Sequence, residues 1–455
     1  MDIGITRRDF LRTTGMAGVG VALAGYPQSG YTMSNSKIRV LAIGFGRIGN
    51  RDLTEVAAHT AVEISGLCDV DKDALAAVSE QFPDAFTCSD YRVAFTDHVE
   101  NFDAVIVSTP DHSHAPIMMT ALANDKHIYG QKPLVHQLEE IQMMETAIQA
   151  KPQLVTQLGN QRMVYPGRRA AVEILRSGQL GKAIEAHVWT SSPVGQFYFN
   201  IDRILSEPGT PPPNVDFNLW LGPCEEQPYR EHLLPRKWRS WWDFGTGGLG
   251  DWGVHLLDVI FFAYDELQSP FSVKTHAPAP PDMFHAFPCQ STLTYRVESD
   301  NFAHHHFPIY YNDRGQGPSR ASLGLPGHEW ATSNMTVVVC EGGILSLTPE
   351  GELEIWRDGH MTPGLEMPGL PEFPALNHWH AWVDNINGVD TELRTPFSDG
   401  ARITESSLLT VKASRFPGQE LFWDKASLTF SNHEEATNTI VRRTYRDGFS
   451  PPVVG

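Results

Sequence analysis

This chain of 455 residues has few cysteines and an excess of acidic over basic residues. Its five cysteines include no C-x-x-C pair, and their odd number argues against a fully paired disulfide framework or a zinc site of the usual spacing. Lys and Arg together number 35 against 54 Asp and Glu, which gives a formal net charge of −19. Such an acidic surface argues against nucleic acid and anionic membranes as partners.

Apolar runs long enough to cross a bilayer are also missing. The apolar stretch 16–23 is far shorter than the ~20 residues that a membrane helix needs. It follows Arg7-Arg8 in a pattern typical of the twin-arginine export signal, and Ala22-Leu23-Ala24 offers a small-residue cleavage site. We therefore predict a signal peptide over residues 1–24 and a mature protein that is periplasmic or otherwise exported and has no membrane association. A frayed basic terminus is the alternative.

The glycines that come next are the most informative feature of the sequence. Gly44, Gly46 and Gly49 form a G-x-G-x-x-G motif directly after the apolar run 38–43, and a second apolar run ends just before Asp69. Strand, tight turn, helix, second strand and acidic residue in this order predict a dinucleotide-binding unit. The N-terminus of the helix would face the pyrophosphate. Without this context the glycine motif alone would be a weak signal.

Asp69 predicts which dinucleotide is bound. A carboxylate at this position accepts hydrogen bonds from the adenosine ribose and repels a 2′-phosphate, so NAD(H) is favoured over NADP(H). Capping of the next helix by Asp69 is compatible with this role. There is no pool of free nicotinamide nucleotide beyond the inner membrane. An exported NAD enzyme is therefore expected to hold its cofactor tightly, and to regenerate it within one cycle or pass electrons between two substrates.

The length of the chain exceeds what one hydrophobic core usually supports, so we expect two domains. Residues 37–157 alternate β-branched runs with helical stretches, which predicts a doubly wound parallel sheet of the Rossmann type. From residue 183 onward, longer alternating segments predict a mostly antiparallel sheet in a second, α+β domain over 158–455. The predicted strands are 38–43, 62–68, 104–107, 127–129, 154–156, 186–190, 290–297 and 336–339. The predicted helices include 162–177, 379–387 and 401–415.

Two polar segments follow predicted strands at the sheet edge where such folds bind ligands. The segment 108–114 contains His112 and His114, and Lys132-Pro133 comes about twenty residues later. A lysine at a strand end is usually a solvated surface residue, but this position and the neighbouring proline favour Lys132 as a site residue. Asp251 and His255, four residues apart, share one face of a predicted helix, and His255 is a candidate base. A histidine on an apolar helix is otherwise more often a core residue.

Together these motifs resemble the family of glucose–fructose oxidoreductases and inositol dehydrogenases (Gfo/Idh/MocA), over nearly all of the chain after the leader. Asn160-Gln161 and the segments 238–243 and 442–448 resemble motifs of an exported bacterial subgroup. The resemblance implies a Rossmann domain followed by an α+β domain with an open, mostly antiparallel sheet, and a homo-oligomer. The family's usual Glu-Lys-Pro is here Gln131-Lys132-Pro133. Losing that carboxylate leads us to expect a less compensated charge on Lys132.

The resemblance also implies roles for individual residues. Lys132 and His255 are expected to flank the reacting carbon, with His255 as general base and Lys132 stabilising an alkoxide. Asp251 would either orient His255 or bind a neighbouring hydroxyl. The predicted cofactor contacts are Gly44, Phe45, Gly46, Arg47, Ile48, Asp69, Ser108, Thr109, Pro110, His112, His114, Gln131 and Lys132.

Aromatic residues near the predicted catalytic helix bear on the substrate. Tryptophan faces suit a polyhydroxylated ring, although core packing explains any single one equally well. The tryptophans in question are Trp220, Trp238, Trp241, Trp242 and Trp252. With the resemblance, they favour a sugar, glycoside or cyclitol as substrate. The predicted substrate contacts are Asn160, Trp238, Arg239 and Trp252.

Three functions remain open on these grounds: an NAD-dependent dehydrogenase, a redox-neutral enzyme that cleaves glycosides by oxidation and elimination, and a silent NAD- and sugar-binding protein. A metal site is not predicted. In the run His304-His305-His306, neighbouring side chains on a strand would point to opposite faces, and no carboxylate stands at metal-ligand spacing.

Overall fold

The computed structural model describes residues 37–191, 207–231, 233–279, 283–389 and 395–454. The predicted signal peptide, residues 1–24, lies outside these ranges, so it stays a prediction. The residues from Lys37 onward belong to one unit. Within the described ranges, no helix is long and apolar enough to cross a membrane.

The first sheet is parallel and carries the glycine motif at its carboxyl edge. Its strands are β1 (Ile38–Ile43), β2 (Val62–Cys68), β3 (Phe86–Cys88), β4 (Ala104–Val107), β5 (His127–Gly130) and β6 (Thr156–Leu158). They lie in the order β3-β2-β1-β4-β5-β6, so the winding direction reverses between β1 and β4, where ligands bind in such sheets. The predicted Rossmann sheet is confirmed. The sixth strand begins two residues later than predicted, and β3 was not predicted.

The second sheet is large and mostly antiparallel, as predicted. Its strands are β7 (Ala183–Trp189), β8 (Ser272–His276), β9 (Gln290–Arg296), β10 (His306–Asn312), β11 (Met335–Cys340), β12 (Gly343–Leu347), β13 (Leu353–Arg357), β14 (His360–Pro363), β15 (Glu420–Asp424) and β16 (Thr429–Phe430). In the described residues the order is β14-β13-β12-β11-β7-β10-β9-β8-β15-β16, and β7 and β10 run parallel. Along β9, Ser291, Leu293 and Tyr295 are buried and alternate with more exposed residues, so one face packs on the core.

Helices cover the first sheet and the inner face of the second. They are α1 (Arg47–Ala57), α2 (Lys72–Ser79), α3 (Tyr91–Asp97), α4 (His114–Ala123), α5 (Leu138–Ala150), α6 (Pro166–Arg176), α7 (Phe217–Leu221), α8 (Gly247–Ala263), α9 (His378–Ile386), α10 (Phe397–Lys412) and α11 (Glu434–Ile440). The helix predicted over 162–177 is divided into a 3₁₀ turn, Gln161–Val164, and α6. Pro166 is the first residue of α6, where its missing N–H removes no helical hydrogen bond.

The late helices pack back onto earlier parts of the chain. Helix α9 contacts α1, and the indole Nε1–H of Trp379 donates to the buried carboxylate of Asp52 at 2.9 Å. Helix α10 contacts both α5 and α8. Helix α10 therefore joins the two sheets, since it contacts β6 of the first and β8 and β9 of the second. The ligand edge of the first sheet faces the N-terminal part of α8, where Lys132 meets Asp251.

The glycine motif depends on a close approach between α1 and the turn after β1. A Cβ on Gly49 would lie 2.0 Å from the carbonyl oxygen of Gly44, whereas a Cβ on Gly46 would have nothing within 4 Å. Gly44 itself has a φ of 92°, a conformation that favours glycine. Packing therefore requires glycine at position 49 but not at position 46.

We therefore expect Gly49→Ala to lower the free energy of unfolding by about 2 kcal/mol or more, because the new methyl group meets backbone that cannot move aside. Gly46→Ala is the matched control and should cost less than about 1 kcal/mol. Urea denaturation of both variants tests this expectation. Equal stability of the two would show that the contact at Gly49 relaxes easily.

Candidate functional site

A single cavity of about 1050 Å³ joins the glycine motif to α8. Most of the residues predicted as cofactor, catalytic or substrate contacts line it. They are Gly44, Phe45, Gly46, Arg47, Ile48, Asp69, Ser108, Thr109, Pro110, Gln131, Lys132, Trp238, Arg239, Asp251, Trp252 and His255. The structure thus brings together residues from the carboxyl edge of the first sheet, from the segment with Trp238 and Arg239 and from α8, although they are far apart in the sequence.

The glycine turn presents unpaired backbone donors to the cavity. The N–H of Gly44 donates to the carbonyl of Cys68 at 2.9 Å, which fixes the turn against β2. Gly46 is the N-cap of α1, and no side chain there accepts a hydrogen bond from the first turn. The first N–H groups of α1 are therefore available to an anionic ligand, and the helix dipole adds partial positive charge.

Asp69 closes β2 at the same end of the cavity. Its two carboxylate oxygens accept hydrogen bonds from the N–H groups of Phe45 (2.6 Å) and Asp71 (2.8 Å). Burial raises the pKa of Asp69 to about 6, against the opposing effect of these hydrogen bonds. The helix-capping role belongs to Asp71, whose side chain accepts from Asp73 and Ala74 at the start of α2. Asp69 thus does not cap α2, and it lines the cavity.

Gln131, the departure from the family's glutamate, has a specific partner. Its Nε2 donates to the buried carboxylate of Asp52 at 2.9 Å, and Ser108 and Trp379 donate to the same group. Burial raises the pKa of Asp52 to about 6, although these donors oppose the rise. A glutamate at position 131 would place a second carboxylate against Asp52. The glutamine is therefore the residue that this neighbour requires.

Lys132 is compensated by Asp251. Its Nζ donates to the Asp251 carboxylate at 2.9 Å and to the Asp251 carbonyl oxygen at 2.6 Å, and Arg239 donates to the same carboxylate at 3.2 Å. Burial alone would oppose ionisation of Asp251, but the two cations outweigh it and hold the pKa of this carboxyl below its usual range. Although the family's glutamate is missing at position 131, Lys132 thus has a charge partner, which comes from α8.

His255 is held by Asn160 from behind. Its Nδ1 lies 2.8 Å from Asn160 Oδ1, while Asn160 Nδ2 donates to Asp258 Oδ2 at 2.8 Å. An amide oxygen only accepts, so Nδ1 carries the proton and the lone pair is on Nε2, the nitrogen left for the cavity. Burial and the charges of Lys132 and nearby arginines keep the pKa of His255 well below its ordinary value. The imidazole is accordingly neutral.

A buried ion pair that was not predicted from the sequence supports this arrangement. Arg168 pairs with Asp258, and neither side chain is exposed to solvent. Arg168 Nη2 also donates to the carbonyl oxygen of His255 at 2.6 Å. Asp258 lies three residues after His255 in α8, and this spacing alone could have indicated that the two side chains are neighbours on the helix. No pattern in the sequence indicated Arg168, which is far away in α6.

Three predicted contacts lie behind the cavity wall. His112 is buried between the carbonyl oxygens of Trp220 and Phe244, which it approaches at 2.9 and 3.3 Å. His114 joins the carbonyls of Thr109 and Pro133 at 2.9 and 2.7 Å, and so ties two loops of the cavity together. Asn160 is fully buried behind His255. We therefore assign His112, His114 and Asn160 to positioning, in place of the direct ligand contact predicted.

The tryptophans divide between wall and core. Trp220, Trp238 and Trp252 line the cavity, and Arg239 lies 4.2 Å from the ring centre of Trp238. Trp241 instead packs against Phe284, and Trp242 lies beneath the cations of Lys412 and Arg415. The predicted contacts Trp238, Arg239 and Trp252 are thus on the wall. Across the described ranges, no group of three or more His, Cys, Asp or Glu is placed to hold a metal ion.

Comparisons with known proteins agree with this architecture. The model of the Gfo/Idh/MocA oxidoreductase family, NAD-binding Rossmann fold, matches residues 38–158, and that of the family's C-terminal alpha/beta domain matches residues 169–298. The "Crystal structure of the WlbA dehydrogenase from Bordetella pertussis in complex with NADH and UDP-GlcNAcA" is similar in fold, with a TM-score of 0.58 at 15% identity. The similarity covers 85% of this chain and 99% of that one.

Two curated relatives are similar over shorter stretches. A "Glycosyl hydrolase family 109 protein" of Shewanella woodyi is 33% identical over 120 residues, which are 25% of this chain and 26% of that protein. An "Inositol 2-dehydrogenase" of Salmonella paratyphi B is 26% identical over 147 residues, 32% of this chain and 43% of that protein. The chain thus spans less than half the length of these relatives.

The Gln131–Asp52 contact predicts a pH-dependent loss of stability in Gln131→Glu. A raised carboxyl pKa in the folded state means that the native protein keeps a proton which the unfolded chain has lost, so stability falls as pH rises. We expect the variant to resemble the wild type near pH 4.5 and to lose about 3 kcal/mol at pH 8, equivalent to a pKa raised by about two units. Urea denaturation at both pH values measures this.

The control is Gln131→Glu combined with Asp52→Asn, in which the new amide can donate to the glutamate. This double variant should recover the pH-dependent part of the loss. A single variant as stable as the wild type at pH 8 would contradict the role given to Asp52.

Proposed function

Because the chain belongs to the Gfo/Idh/MocA oxidoreductase family, we propose that it oxidises a secondary hydroxyl of a sugar, glycoside or cyclitol with a tightly held NAD. The observation that carries this proposal is the position of Lys132, Asp251 and His255 on the same cavity as the glycine turn and Asp69. The relatives named inositol 2-dehydrogenase and glycosyl hydrolase support a polyhydroxylated substrate.

The described residues suit NAD at this position. The uncapped start of α1 and the open space above Gly46 would receive the pyrophosphate, and Asp69 would accept hydrogen bonds from the adenosine ribose. The absence of an arginine at Val70 or Asp71 favours NAD(H) over NADP(H). When bound, the nicotinamide supplies the hydride acceptor, and the protein supplies orientation and proton transfer.

His255 is the proposed general base. Its lone pair is on Nε2, the nitrogen not bonded to Asn160, and its depressed pKa keeps it unprotonated at neutral pH. A base in this state can accept the hydroxyl proton of the substrate. Lys132 would donate a hydrogen bond to the substrate oxygen and stabilise negative charge as the proton leaves. Asp251 fixes the Lys132 ammonium, which has little freedom while bonded to two oxygens of one residue.

We expect His255→Ala and Lys132→Met each to lower turnover by about 10²-fold or more, the usual scale for positioned acid–base help. The two losses should combine less than multiplicatively, because both residues serve one proton transfer. Binding of NAD should barely change, since the glycine turn and Asp69 hold the other end of the cofactor. Steady-state kinetics and NADH fluorescence measure the two quantities.

His187→Ala and Lys151→Met are the matched controls, since neither residue lines the cavity. Both should turn over at the wild-type rate. A His255→Ala enzyme with near-normal turnover would contradict the assignment of His255 as general base and would leave Lys132 as the only candidate for that role.

The relatives named glycosyl hydrolase favour a second candidate, a redox-neutral cleavage of glycosides. Oxidation of a ring hydroxyl acidifies the neighbouring C–H bond, the glycosidic substituent then leaves by elimination, and the hydride returns to the sugar. The test is incubation with a chromogenic glycoside and no electron acceptor. Repeated turnover supports this candidate, whereas a dehydrogenase needs an added acceptor. A protein that binds NAD and sugar but performs neither reaction would be a silent binding protein.

Export by the twin-arginine route is part of the proposal and is supported by the pattern around Arg7-Arg8. We expect Arg7→Lys/Arg8→Lys to keep the precursor in the cytoplasm, while the wild type reaches the periplasm folded and with nucleotide bound. Cell fractionation followed by mass spectrometry of the released cofactor measures both. Normal export of the double variant would end this part of the proposal.

A further inference from the structure

The C-terminal strap, residues 442–454, crosses from the first sheet to the segment that contains α7. Its first anchor is buried: Arg443 pairs with Glu140 at 2.7 Å and donates to the carbonyl of His112 at 2.7 Å, and Tyr445 donates to Glu140 at 2.8 Å. Burial opposes the charge on Arg443, but Glu140 outweighs it and keeps the pKa of the guanidinium above its usual value. An anchor with this many buried bonds fixes the path of the strap.

The second anchor is Arg446. Its guanidinium donates to the side-chain oxygen and to the carbonyl oxygen of Asn218 at 2.6 and 2.7 Å. The backbone N–H of Arg446 donates to the carbonyl oxygen of Pro223 at 3.0 Å. Gly448 then turns the chain with a φ of 78°, and its carbonyl accepts from Arg92 at 3.1 Å. The turn brings Phe449 onto the cavity wall, where it is only 5% exposed.

Phe449 is held there by two cations. The guanidinium of Arg92, which follows β3, lies 3.9 Å from the ring centre, and that of Arg446 lies 4.5 Å from it. Arg92 is itself paired with Asp90 at 2.6 Å. Because Asp90 also lines the cavity, the ring and the loop after β3 form one continuous piece of wall.

A second distant segment covers the residues directly after Asp69. Asn214 to Asp216 form an antiparallel bridge with Val70 to Lys72, in which Lys72 N–H donates to Asn214 O and Asp216 N–H donates to Val70 O, both at 2.9 Å. The Asn214 side chain adds a hydrogen bond to Asp71 at 2.7 Å. Asn214 and Val215 line the cavity, and Arg446 connects the strap to the same segment through Asn218.

We propose that Phe449 and the C-terminal strap form the outer wall of an adenine subsite that retains NAD. This inference rests on the proposed function, which places NAD in the cavity. In a sheet of this order, a ribose held at the end of β2 leaves the adenine beyond it, towards β3. The loop after β3, the 214–216 bridge and Phe449 are the parts of the wall at that place. The strap thereby slows release of the adenosine half.

The experiment compares the wild type with Phe449→Ala, Phe449→Leu and the control Val453→Ala. Val453 belongs to the same strap, is 93% exposed and does not line the cavity. Three probes are used: NADH, ADP-ribose, and reduced nicotinamide mononucleotide, which lacks the adenosine. Binding and release are followed by fluorescence and calorimetry, and thermal unfolding checks that each variant is folded.

We expect Phe449→Ala to weaken the binding of NADH and of ADP-ribose by about tenfold, the effect of exposing one phenyl-sized apolar contact to water. NADH release should accelerate to match, Phe449→Leu should give a smaller change, and the mononucleotide should bind as to the wild type. Val453→Ala should change none of these. The inference would be overturned if NADH were released from Phe449→Ala at the wild-type rate, or if binding of the mononucleotide weakened as much as binding of NADH. A wild-type protein that binds none of the three probes would instead overturn the proposed function.

Discussion

Arg168 and Asp258 form a fully buried ion pair, and the candidate active site depends on it. Removing two charges from water costs several kcal/mol per ion, and additional hydrogen bonds help to offset this cost. Here Arg168 also donates to the carbonyl oxygens of His255 and Thr348, and Asp258 accepts from Asn160. The pair therefore fixes α6, α8 and the end of β12 in one arrangement, in which His255 has a single orientation and tautomer.

Asp52 is the corresponding buried carboxylate beneath the first sheet. It accepts hydrogen bonds from Ser108 after β4, from Gln131 after β5 and from Trp379 in α9. Two loops of the ligand edge and a helix 327 residues further along the chain thus meet at one group. Because all three donors point at it, the position after β5 needs a donor rather than a second carboxylate. The departure from Glu-Lys-Pro is explained by packing, and Lys132 keeps a charge partner through Asp251.

The parts of the fold that depend on neighbouring residues could be predicted from the sequence. Strands β1, β2 and β4 are rich in buried apolar residues and bounded by turns, and the strand order then places Lys132 at the ligand edge. The short, half-buried β3 has no such pattern. The supporting contacts could not be predicted, because Asn160 and His255 are 95 residues apart and Gln131 and Asp52 are 79 apart. No local pattern encodes a pair at that separation.

The charges around α8 act together. Two cations, Lys132 and Arg239, share the carboxylate of Asp251. The Lys132 ammonium would stabilise negative charge on a substrate oxygen. After burial, the charge of Lys132 is also the main influence that keeps the pKa of His255 low. The lysine that would stabilise an alkoxide therefore also keeps the neighbouring imidazole neutral. A neutral imidazole can accept the hydroxyl proton, and loss of that proton forms the alkoxide.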